Sequence, residues 1–79
     1  MLYVATFHSH FGATRFAKKL RGENVACTLK PVPRRLSSSC GTCAEFETDR
    51  DVQSLLTPEL EGVYLSDGEG YQPVWECAE

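Results

Sequence analysis

Leu2-Tyr3-Val4-Ala5-Thr6-Phe7 is an unbroken run of apolar and β-forming side chains, and a helix signal follows almost at once. Such a run reads as a buried strand. Ser9 is placed to cap a helix N-terminus. Ala13, Phe16, Ala17 and Leu20 then fall at i, i+3, i+4 and i+7, the spacing of one apolar helix face. Arg15, Lys18, Lys19 and Arg21 take the outer face, with cations toward the C-terminal end where the helix dipole favours them. Gly22 suits the stop. The chain must therefore open with a strand, a tight turn and an amphipathic helix.

The later elements are shorter. Val25 to Val32 reads as a second strand, with Pro31 confining its later part to an edge or an end. Pro33 to Gly41 is a loop. Thr42 to Glu47 alternates, with Ala44 and Phe46 on one face. Thr48-Asp49-Arg50-Asp51 looks like the acidic start of a second helix. Val52, Leu55 and Leu56 are its stripe, and Pro58 its end. Gly62 to Leu65 is a further strand. Asp67-Gly68-Glu69-Gly70 is turn chemistry, after which Tyr71 to Trp75 either returns as a hairpin strand or drapes over the sheet. The order β-α-β-β-α-β predicts an α+β, ferredoxin-like domain over residues 1–65, an antiparallel sheet with two helices on one face. Residues 66–79 form a tail or hairpin extension. A thioredoxin-like plan would start a helix at Cys40 and run it through Leu56. It ranks lower, because Phe46 leaves the apolar stripe and the Thr48 cap signal falls mid-helix.

The chain has 79 residues, 42% hydrophobic and 24% charged, which fits one small globular domain. A core of this size stabilises weakly, so a metal, a disulfide or a partner would matter. The net charge of −3 argues against general nucleic-acid affinity. No apolar stretch approaches the ~20 residues that span a bilayer, and the start lacks the basic region of a signal peptide. A cytoplasmic setting is expected. There the four cysteines would be reduced, redox-active or metal-binding rather than a disulfide framework.

The chemistry gathers in Pro33-Arg34-Arg35-Leu36-Ser37-Ser38-Ser39-Cys40-Gly41-Thr42-Cys43. It places two thiols at CxxC spacing behind three hydroxyls and two guanidinium groups. Cys40 is the candidate nucleophile, with Cys43 as a resolving thiol, a half metal site or a buried small residue. Amides from Ser38 and Ser39 to Gly41 are candidates for an anion-binding nest, and Arg34 for added positive charge. A zinc site needs four ligands, and Cys27, Cys77, His8 and His10 offer no second close pair, so no metal or other cofactor is expected. If strands 25–32 and 42–47 form a hairpin, Pro31 lies about opposite Cys43. The ends of the first two strands then share one sheet edge. That brings the His8–His10 turn toward the Cys40 loop, where His10 could support the thiolate. Cys27 reads as packed and Cys77 as an incidental tail thiol.

The chain also resembles the selenium/sulfur carrier protein-like family of small bacterial domains. The likeness rests on Tyr3 to Ser9, His10, Ala13 to Leu20, Gly22, Pro31-Val32-Pro33-Arg34 and Leu36-Ser37-Ser38-Ser39-Cys40-Gly41, within roughly residues 2–65. It departs from the family pattern at Cys43, often apolar in relatives, and in the tail with Tyr71, Trp75 and Cys77. The resemblance implies Cys40 as a carrier thiol, with a protein donor such as a cysteine desulfurase and a protein acceptor. The expected function is a sulfur or selenium carrier, or thiol relay, without an independent enzyme's substrate pocket. A non-catalytic anion- or protein-binding module is the alternative, and a cysteine-based metal-binding domain the third.

Overall fold

The computed structural model describes residues 1–36 and 38–77; Ser37 of the serine run and residues 78–79 of the tail lie outside it. Five strands, β1 (Leu2–Phe7), β2 (Cys27–Pro31), β3 (Thr42–Glu47), β4 (Leu60–Ser66) and β5 (Tyr71–Glu76), form one sheet in the order β2-β3-β1-β4-β5. Every neighbouring pair is antiparallel. One helix, α1 (His10–Gly22), crosses from β1 to β2 and covers one face.

The sequence dictates α1 from cap to cap. The Ser9 hydroxyl accepts the Gly12 amide at 3.1 Å, and Gly12, Ala13, Phe16, Ala17 and Leu20 are buried against the sheet. The phenyl ring of Phe16 meets Phe7 at 5.2 Å and, edge-on, Phe46 at 5.4 Å, while Tyr3 stacks on Phe46 at 5.5 Å. Each such side chain contributes about 1.5–3 kcal/mol by leaving water. The stop falls later than Gly22. Asn24 takes the left-handed backbone at φ 64°, while its amide donates to Arg21 O and the Val25 amide to Leu20 O. Asparagine tolerates that conformation, and the two bonds satisfy carbonyls the helix end would otherwise leave open.

Three expectations need correction. The described residues build one helix and a five-stranded sheet, not the two-helix ferredoxin-like arrangement. The stretch after Thr48 makes only a 3-10 turn, Val52–Leu55, capped by the Asp51 carboxylate on the Gln53 amide. Its apolar stripe is one turn long and Pro58 forbids growth, so a helix there never repays its nucleation. In the β2–β3 hairpin Lys30, not Pro31, stands opposite Cys43. Of the two paths open to Tyr71–Trp75, the chain takes the hairpin: β5 pairs with β4, and Trp75 lies opposite Val63. The thioredoxin-like plan fails at Cys40, which leads into a strand and not a helix.

The second face of the sheet is also partly closed. Val4, Thr6 and Cys43 are buried but stand outside the helix-side cluster, as strand alternation requires. Tyr64 lies across Gly62, where a β-carbon would come within 3.1 Å of its hydroxyl.

Candidate functional site

The β2–β3 loop closes at a neck where the Val32 amide donates to Gly41 O at 3.1 Å, with Gly41 at φ 74°, a conformation that favours glycine. Ser38 and Ser39 pin the loop to the far ends of β1 and β4. The Ser38 hydroxyl donates to Phe7 O at 3.1 Å and accepts the Cys40 amide at 3.4 Å. Ser39 gives both its amide, at 3.0 Å, and its hydroxyl to the Glu61 carboxylate.

Cys40 lies half-buried between these anchors, packed against the helix-side core. Its Sγ donates to Thr42 O at 3.4 Å and is 3.9 Å from Ser38 Oγ. His10, the first residue of α1, brings its Nδ1 to 3.2 Å from Thr42 Oγ1. His8 Nδ1 is 3.5 Å from the Glu61 carboxylate. The His8–His10 turn and the cysteine loop thus meet at one edge of the sheet. The amides take a different course from the expected nest. Ser39 N–H is aimed at Glu61 and Cys40 N–H at Ser38 Oγ, because a nearby carboxylate and hydroxyl satisfy them first.

The other expected residues sit apart. Arg34 and Arg35 line a groove of about 460 Å³ against Ser66, Gly68 and Tyr71, and Arg35 donates to Glu69 O at 2.7 Å. Among the described residues, no arginine hydrogen-bonds Cys40. Cys43 is fully buried in β3, with Sγ directed to Pro31 O at 3.6 Å. Burial pushes its thiol pKa up, against a smaller opposing pull from Lys30. Cys27 is buried and raised in the same way, opposed by Arg21. All four thiols are free. Among the described residues, no group of three or more His, Cys, Asp or Glu is placed to hold a metal ion.

Glu61 is the residue that sequence reasoning missed. It falls at the irregularity where β4 slips against β1, between Leu60, opposite Phe7, and Gly62, opposite Thr6. A bulge re-aims the extra side chain toward the strand end. No motif marks it; the only signal is an acid directly before a glycine at a strand start.

Residues 2–59 match the sequence model of the family described as "Putative Se/S carrier protein-like". The chain belongs to that family. No curated protein and no solved structure matches it. In this Se/S carrier-like protein the matched span holds Cys27, Cys40 and Cys43, and leaves out Cys77. Two of those three are buried, so Cys40 is the partly exposed cysteine within the span. The span also ends before Glu61, which anchors the cysteine loop from outside it.

Proposed function

We infer that this Se/S carrier-like protein carries sulfur, or its selenium analogue, on Cys40 between a protein donor and a protein acceptor in the cytoplasm. The observation that carries the reading is that Cys40 is the half-exposed cysteine inside the family span, on a loop fixed to the β1 and β4 ends. The step needs no outside oxidant. Cys40 thiolate attacks the terminal sulfur of a donor persulfide, the donor S–S bond breaks, and the donor thiolate leaves. Cys40 then holds the persulfide, and an acceptor nucleophile removes that sulfur and returns the thiolate. His10, Ser38, Ser39 and Gly41 set the loop in which this happens. Arg34 and its groove stand ready to contact the donor or acceptor.

Cys43 has a second candidate role. Its thiol would attack the inner sulfur of the Cys40 persulfide, expel hydrosulfide and leave a disulfide. Burial and a raised pKa favour a packing role instead. Intact mass after incubation with a cysteine desulfurase and cysteine separates these readings. The carrier reading expects a gain of about 32 Da, one sulfur atom, reversed by thiol reductant. The gain disappears in Cys40→Ser and survives in Cys43→Ser and Cys77→Ser. Retention of the gain in Cys40→Ser would sink the assignment. No gain in the wild type would favour a non-catalytic binding module.

A further inference from the structure

The outer face of α1 is electrostatically unlike the rest of the molecule. The helix contains Arg15, Lys18, Lys19 and Arg21 and no acidic residue, although the chain as a whole has net charge −3. All eleven acids and the other four cations lie elsewhere. Phe11, Arg15 and Lys18 are exposed at i, i+4 and i+7, one stripe along the helix. Phe11 is 65% exposed, with the Arg15 guanidinium 5.5 Å from its ring centre. Beside this stripe a pocket of about 200 Å³ opens between α1 and the 57–59 segment, lined by Gly12, Arg15, Lys19, Thr57, Pro58 and Glu59. Thr57 Oγ1 is buried with no hydrogen-bond partner among the described residues. The one acid in the lining, Glu59, keeps its charge, with its Oε2 accepting the Ser9 hydroxyl at 3.2 Å, so Arg15 and Lys19 leave the lining one charge positive.

We propose that this face docks an acidic segment of a partner protein, with a carboxylate side chain in the pocket between Arg15 and Lys19. Two cations on one side of the pocket are the charge-assisted donors a carboxylate needs. The exposed Phe11 gives an apolar contact at the head of the stripe, which suits a peptide better than a phosphate backbone. Location ties the surface to the thiol. Phe11 follows His10, whose ring meets Thr42, and the Thr42 carbonyl accepts the Cys40 thiol. The N-terminal end of α1, where the stripe begins, is therefore the end that meets the Cys40 loop. The proposal rests on the carrier reading for its purpose, since a donor or acceptor has to reach that sulfur.

The test uses the full chain, labelled for amide NMR, and a short synthetic peptide rich in Glu and Asp with one Leu. Its Gln/Asn counterpart, acetate and a single-stranded RNA of equal charge serve as the other arms. The acidic peptide is expected to shift the Phe11, Arg15, Lys19 and Thr57 amides. Affinity should fall about tenfold or more in Arg15→Glu/Lys19→Glu and with added salt, and hold in Lys30→Gln, a cation on β2 away from this face. Equal binding by Arg15→Glu/Lys19→Glu, or tighter binding of RNA or of acetate alone on the same face, would overturn it. Glutathione persulfide, which needs no docking, separates the two readings. Arg15→Glu/Lys19→Glu should still gain sulfur from it, whereas Cys40→Ser should bind the peptide but gain none.

Discussion

Glu61 decides how the cysteine loop is held. Burial pushes its pKa up, but the hydrogen bonds from the Ser39 hydroxyl and amide, with the His8 imidazole nearby, overcome that and leave it below its ordinary value of 4.5. A depressed carboxylate pKa gives stability that is complete above the unfolded value and is lost as pH falls through the folded one. The loop should stay anchored at neutral pH and loosen below about 4.5. Amide exchange at Ser39 and Cys40 measures this: protection should fall on acidification, and Glu61→Gln should lower protection at neutral pH and flatten the acid dependence. Unchanged protection in Glu61→Gln would refute the anchoring role. Cys43 behaves oppositely. Its raised pKa stabilises the fold below the unfolded value and is lost as pH rises through the folded one, so stability should decline above about 9.0, less steeply in Cys43→Val. In the native protein iodoacetamide should modify Cys40 well ahead of Cys27 and Cys43; equal rates would show that burial protects neither. At this scale the sequence displayed the cysteine proposed as the carrier and its serine neighbours, because small polar residues around a thiol are a local pattern. It concealed Glu61, whose role depends on a bulge between strands far apart in the chain.

At the scale of the element, α1 was legible because its signals agree: a cap at Ser9, an apolar stripe, and cations along the outer face. Its close approach to the 57–59 segment was not, since only the tertiary arrangement brings Gly12 against Glu59. A β-carbon on Gly12 would collide with the Glu59 β-carbon and lie 2.8 Å from its γ-carbon. Gly12→Ala should therefore cost about 1–3 kcal/mol in urea unfolding, as overpacking does, despite alanine's better helix propensity. A neutral or stabilising result would mean the segment simply yields. Ser9→Ala should cost about 1 kcal/mol through the lost cap. The expected second helix failed for the reason α1 succeeded. Asp51 and the apolar residues after it supply a start, but Pro58 comes too soon for tertiary packing to stabilise more than one 3-10 turn.

The whole molecule depends on chain that the family span does not include. β1 is interior, between β3 and β4, yet the span of residues 2–59 stops one residue before β4 begins. A fragment of residues 1–59 would turn β1 into an edge, open the core at Leu60 and Val63, both 1% exposed, and release Ser39 from Glu61. Losing large core side chains costs about 2–5 kcal/mol each, comparable with the entire stability of a domain this small. The 1–59 fragment should show no cooperative thermal transition by circular dichroism, and its Cys43 should alkylate as fast as its Cys40. A fragment ending at Ser66 keeps β4 and loses β5, with the Trp75 packing opposite Val63. It should melt cooperatively at a lower temperature than the full chain. If residues 1–59 melt cooperatively with Cys43 still protected, β1 needs no second partner. The cysteine loop would then be held from the β3 side alone, against the anchoring assigned to Glu61.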